Sequence, residues 1–168
     1  YGEKGPDKDL PGFDFTAFYA RGGILGPLRD KNSLPMLTVQ GFGDHQVAMN
    51  LAAGVLAALF KAKMTGEGDH VVVSLFHSAI WDISLMLQAS QYGADSTQYP
   101  MERWKLGNPL VLCYETADGQ WLQIAMPQYD RHYPILMNAM GYPELADDAR
   151  YYPQKNLIPN REEFSAWI

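Results

Sequence analysis

From Asp44 onward, apolar residues recur on most sides of a helix. Val47, Leu51, Val55 and Leu59 repeat every four residues, with Ala48, Ala52 and Leu56 beside them. An amphipathic surface helix would show one apolar stripe. This pattern predicts a helix buried around most of its circumference. It ends near Met64-Thr65-Gly66, where Gly66 can take the left-handed conformation that closes a helix. The apolar stretch Val47 to Phe60 is interrupted by Asn50, closed by Lys61, and too short to span a bilayer comfortably.

The flanking segments suggest what covers that helix. Glu67-Gly68-Asp69 forms a turn, and the β-branched run His70-Val71-Val72-Val73-Ser74 predicts a strand. A second helix is expected from about Leu75 to Gln91, ended by Gly93. Helix, turn, strand and helix in this order predict an α/β layered domain. Upstream, residues 1–12 are loop. Phe13 to Ala20 predicts a short helix that Asp14 can cap and Gly22-Gly23 can end. Downstream, residues 94–108 predict a linker. Leu110 to Glu115 and Gln120 to Ala125 then flank Ala117-Asp118-Gly119, a strong hairpin signal. Arg131 to Met140 predicts a helix ended by Gly141-Tyr142-Pro143, Pro153 to Pro159 a loop, and Arg161 onward another helix.

Composition excludes some classes of partner. With 168 residues, 47% hydrophobic and 19% charged, the chain can bury a core in one medium domain or parts of two. A formal net charge of -6 gives no electrostatic case for nucleic acid or an anionic membrane. The single cysteine, Cys113, excludes an internal disulfide and suits a reducing, cytoplasmic setting. The opening Tyr1-Gly2-Glu3-Lys4-Gly5-Pro6 lacks a starting methionine and any basic-then-apolar leader pattern, and the close, Glu162 to Ile168, reads as helix. The expectation is an internal fragment of a longer protein.

Asp44 carries the most chemistry. Following Gly41-Phe42-Gly43, it opens the apolar helix. The plain role is an N-cap that accepts a backbone N–H. The same position lies in the positive field of the helix terminus. There a carboxylate can attack a carbonyl carbon, with the N–H groups of Gly41 and Gly43 nearby. His45 beside it suggests a metal hydrolase, but no His or Cys cluster accompanies the pair, and no metal is expected. Cys113, in an apolar strand, predicts a buried inert thiol. Gly22, Gly23 and Gly26 lack the context of a phosphate loop. Arg21 beside them can meet a phosphate or a carboxylate.

Several stretches in order resemble the class III CoA-transferase family, the relatives of formyl-CoA and carnitine CoA-transferases. Gly43-Asp44-His45-Gln46 followed by Gly54 to Leu59 resembles its nucleophile aspartate and the next helix. Lys63 to Leu75 resembles its TGxGxxVxxSL turn and strand, and Tyr114 to Trp121 the hairpin opening its small domain. The resemblance implies an α/β fold: part of a Rossmann-like large, CoA-binding domain over residues 1–98, then a linker and the start of an α+β small domain over 99–168. The whole enzyme would be an interlocked homodimer.

It also implies an enzyme that moves coenzyme A from an acyl-CoA to a carboxylic acid, with no tightly bound cofactor. Asp44 would form an acyl anhydride and then an aspartyl-CoA thioester. Pro11, Gly12, Phe13, Asp14 and Phe15 fall where the family contacts CoA, and Arg21 near its QAxSG element, which here reads Tyr19-Ala20-Arg21-Gly22-Gly23. The pattern from Leu10 to Gly23 is similar to the branch acting on 2-hydroxy, aryl or branched acids. The runner-up is an α-methylacyl-CoA racemase of the same family. Racemases carry Gly-His-Asp where this chain has Gly12-Phe13-Asp14, so the proton-exchanging base is lost. A non-catalytic interaction fragment, with Asp44 only capping a helix, is the third reading.

Overall fold

The computed structural model describes residues 1–95 and 99–168. Residues 96–98, inside the expected linker, lie outside the described residues. The chain divides into two compact units, Tyr1–Pro100 and Met101–Ile168.

The first unit starts with a π-helical turn, Asp14–Ala20. The Thr16 hydroxyl brackets its start, accepting the Phe13 N–H at 3.0 Å and donating to the Phe13 carbonyl at 3.2 Å. Asp14 is therefore not the cap of its own helix, contrary to expectation. Phe18 and Tyr19 turn inward, edge to face with ring centroids 5.4 Å apart, and pack with Ile24 and Ala79.

Helix α1, Phe42–Thr65, begins after Gly41 and ends at Gly66, both in the left-handed region, with φ of 79° and 78°. Only glycine adopts that conformation without strain. The expected burial is not found: Gly43 is the one buried residue of α1, and Leu56 and Phe60 are 67% and 69% exposed. Within its unit the helix meets the π-helical turn at one end and α2, Leu75–Asp82, along one side, through Asn50 Nδ2 to Ser78 Oγ at 2.8 Å. Residues 69–71 also lie against it, with Lys61 Nζ 2.8 Å from Asp69 Oδ2 and Val71 beside Gly54, and most of the remaining surface is exposed. At 24 residues it is also long and apolar enough, by length and composition alone, to cross a membrane. The apolar stretch Val47 to Phe60 covers only part of that length.

Residues 70–74 form no ladder, and the first unit contains no strand among the described residues. A β-branched run becomes a strand only beside another edge, and none is present. The α/β layering expected for this half is therefore not seen in the chain. The expected helix from Leu75 to Gln91 breaks at Ile83 (φ -99°, ψ 15°) into α2 and α3, Ser84–Ser90. Ser74 caps α2, accepting the His77 N–H at 3.1 Å.

The second unit is a hairpin covered by helices. Strands β1, Cys113–Glu115, and β2, Trp121–Gln123, pair antiparallel with Tyr114 opposite Leu122. The turn closes with Gly119 N–H to Thr116 O at 2.8 Å, where the Asp-Gly signal predicted it. Helix α4, Tyr129–Ala139, lays Tyr129, Tyr133 and Met137 against the hairpin residues Leu112, Tyr114 and Ile124. The expected loop after Pro153 instead holds the short helix α5, Gln154–Leu157, whose first N–H donates to Asp130 Oδ1 at 2.6 Å. Helix α6, Arg161–Trp167, brings Phe164 into the same core. Cys113 is half-buried rather than enclosed, and its thiol donates to Gln123 Oε1 at 2.7 Å.

Candidate active site

Asp44 lies in the first turn of α1, but the cap position belongs to Gly41, which has no side chain to offer. Asp44 is thus not an N-cap. Its side chain is exposed, and no hydrogen bond reaches its carboxylate among the described residues. The dipole of a 24-residue helix still favours negative charge there. His45, the next residue, donates its backbone N–H to Gly41 O at 2.9 Å. The neighbouring Gln46 reaches α2, Nε2 to Asp82 Oδ1 at 3.4 Å. Burial raises the Asp82 pKa above the usual carboxylate range.

One amide expected to be free is committed. Gly43 N–H donates to Asp14 Oδ1 at 3.0 Å across 29 positions of sequence. Asp14 is only 5% exposed. The fit admits no side chain at position 43, because a Cβ there would collide with Asp14 Oδ1 and Phe18 Cγ. The Gly41 and Asp44 N–H groups donate to no acceptor among the described residues, so they are the donors left near the Asp44 carboxylate.

The other expected CoA contacts divide. Pro11, Gly12, Phe13 and Phe15 are exposed around the start of the π-helical turn whose buried side holds Asp14. Arg21 is engaged elsewhere: its Nε and Nη2 each lie 3.0 Å from Asp7 Oδ2, and its guanidinium lies 6.0 Å from the centre of the Phe76 ring. Both residues line a cleft of about 340 Å³ together with Tyr1, Lys4 and His77. The structure therefore brings Asp14 to the turn of Asp44 and leaves Arg21 in an ion pair. Among the described residues no group of three His, Cys, Asp or Glu side chains is placed to hold a metal. Sequence reasoning missed Asp7 as the partner of Arg21 and the Asp14–Gly43 bond, neither of which has a local signal.

Comparison with known proteins gives this geometry a context. The model of CoA-transferase family III matches residues 1–168. The chain belongs to CoA-transferase family III. Among family III relatives, the chain is 50% identical over 161 residues to the cinnamoyl-CoA:phenyllactate CoA-transferase of Clostridium sporogenes, covering 96% of this chain and 39% of that protein. It is 40% identical over 163 residues to the (R)-2-hydroxy-4-methylpentanoate CoA-transferase of Clostridioides difficile, covering 97% and 40%. The chain thus spans about two fifths of the length of these relatives. In fold it is similar to a CAIB/BAIF family protein from Brucella suis, with a TM-score of 0.78 at 22% identity over 99% of this chain and 43% of that one. A hypothetical protein from Mycobacterium tuberculosis gives a TM-score of 0.76 at 25% identity, covering 99% and 43%.

Proposed function

We propose that this chain carries the nucleophile of an acyl-CoA:carboxylate CoA-transferase, and that the nucleophile is Asp44. The observation that carries the reading is an exposed carboxylate, without a hydrogen bond among the described residues, in the first turn of α1. Family membership over the whole chain supports it.

A carboxylate oxygen of Asp44 attacks the thioester carbonyl carbon. The C–S bond breaks and CoA leaves as the thiolate, giving a mixed anhydride. The thiolate then attacks the Asp44 carbonyl carbon and expels the donor acid as its carboxylate, leaving an aspartyl-CoA thioester. An acceptor carboxylate attacks that thioester and releases the thiolate, forming a second anhydride. The thiolate finally takes the acceptor acyl group and restores the Asp44 carboxylate. Each step exchanges one acyl bond for another, which is covalent catalysis. The N–H groups of Gly41 and Asp44 are the available donors for a developing oxyanion.

The names of the relatives carry phenyllactate and (R)-2-hydroxy-4-methylpentanoate, which supports a 2-hydroxy or aryl acid as acceptor. The exposed residues Pro11, Gly12, Phe13 and Phe15 are proposed to meet CoA, with Arg21 beside them once its pairing with Asp7 is exchanged for a phosphate. No tightly bound cofactor, nucleic acid or membrane takes part in this reading. The enzyme acts in the cytoplasm as an interlocked homodimer. Residues 1–98 contribute to a Rossmann-like large domain, and 99–168 hold a linker and open the small domain. The remainder of that large domain and the second subunit cover α1.

Asp44→Asn and Asp44→Ala in the full-length protein test the reading, assayed for CoA exchange from an acyl-CoA into a 2-hydroxy acid. Turnover falls to background in both, while binding of the acyl-CoA by calorimetry persists. Turnover retained by Asp44→Asn returns Asp44 to being an ordinary first-turn acid.

A further inference from the structure

The start of α1 is fastened by a residue outside the helix. Asp14 Oδ1 accepts the Gly43 N–H at 3.0 Å, while the cap position itself is a glycine in the left-handed region. Asp14 is 5% exposed, and its second oxygen, Oδ2, is enclosed without a hydrogen-bond partner among the described residues. A carboxylate removed from water needs compensation. Here the compensation is the N-terminus of α1: one N–H bond and the positive end of the helix. The contact is close on both sides, since a Cβ at Gly43 would meet Asp14 Oδ1 and Phe18 Cγ. The second unit uses the same device at an exposed place, where Asp130 holds the first N–H of α5.

Asp44, three residues after the cap position, makes no side-chain hydrogen bond among the described residues, while Asp14 holds the amide of the residue just before it. We propose that Asp14 is a positioning residue: it caps α1 from a distance and fixes the turn that carries Asp44. This rests on Asp44 being the nucleophile. It differs from a CoA-contacting role for Asp14, which would act on substrate affinity.

The test uses the full-length enzyme with Asp14→Asn and Asp14→Ala, and Asp44→Asn as the control. Asparagine keeps an oxygen for the Gly43 N–H and nearly the same shape, whereas alanine removes the acceptor. The expected loss is in kcat, about 10-fold for Asp14→Asn and about 100-fold for Asp14→Ala, the scale of a misplaced reacting group. KM for the acyl-CoA stays within about twofold, because ground-state binding is untouched. The rate at which Asp44 is acylated falls in parallel with kcat. Thermal unfolding checks the fold, and if Asp14→Ala does not fold, Asp14→Asn decides alone. An unchanged kcat in Asp14→Asn, or a loss confined to KM, overturns the inference. If Asp44→Asn remains active, the underlying nucleophile reading fails instead.

Discussion

Residues 1–100 and 101–168 place their apolar side chains in opposite ways. In the second unit Leu110, Tyr129, Tyr133, Met137, Leu157 and Phe164 are almost fully enclosed by one another, and buried tyrosines donate their hydroxyls to backbone carbonyls. In the first unit the enclosed cluster is Phe18, Tyr19, Ile24 and Ala79, while α1, its longest helix, stays uncovered over most of its surface. Hydrophobic periodicity states what an element must eventually bury, and its neighbours in the same chain decide whether it does. A closed core supports itself. An open one leaves apolar surface for the proposed enzyme to cover around Asp44.

Stability measurements on the chain break or sharpen this contrast most strongly. Phe164→Ala should cost about 3–5 kcal/mol in urea unfolding, the usual range for emptying an aromatic site in a core. Leu56→Ala, on exposed α1, should fall within about 0.5 kcal/mol of the parent. Similar costs for the two would erase the distinction between the units. Tyr129→Phe comes next, at about 1–2 kcal/mol, since it leaves the buried Tyr151 carbonyl without its 2.9 Å donor.

Alkali should separate the units as well. Burial pushes the Tyr114 hydroxyl from its ordinary value of 10.0 up to about 12, and Tyr133 likewise to about 12. A raised folded-state pKa gives stability that is fully present below pH 10 and is lost as pH climbs toward about 12. The second unit should therefore unfold across that window, with tyrosinate absorbance rising together with loss of its near-ultraviolet circular dichroism. Tyrosines ionising well before unfolding would contradict the closed core.

The smaller effects concern surfaces. Uncovered α1 should make the chain self-associate, and Leu56→Glu with Phe60→Glu should lower its sedimentation-average mass. An unchanged mass would place the association elsewhere. Least of all, Arg150 holds the Asp148 carboxyl below its ordinary range through hydrogen bonds. That contribution is present above the usual carboxylate pKa and fades as pH falls through the lowered one, so Asp148→Asn should flatten the acid limb of stability slightly.

Local signals were legible in the sequence. The Asp118-Gly119 hairpin, the end of α1 at Gly66, the body of α4 and the start of α6 all follow from residues adjacent to the feature. What needed a distant partner was not legible. Residues 70–74 carry strand chemistry without a neighbouring edge, and α5 forms because Asp130, 24 positions earlier, holds its first amide. At the candidate site, the position of Asp44 at a helix start was visible from Gly41-Phe42-Gly43. That Asp14 takes the cap was not, since the bond spans 29 residues and depends on the π-helical turn that buries it. Arg21 reads as an open cation in sequence and proves to be paired with Asp7 for the same reason.

The most direct test of the account is chemical trapping in the full-length protein. Incubation with an acyl-CoA followed by hydroxylamine, with intact-mass and peptide mapping, should convert an activated aspartyl ester into a hydroxamate. The account predicts a single hydroxamate on Asp44, absent when acyl-CoA is omitted. An active enzyme that yields no adduct at Asp44, or one at another carboxylate, would contradict it.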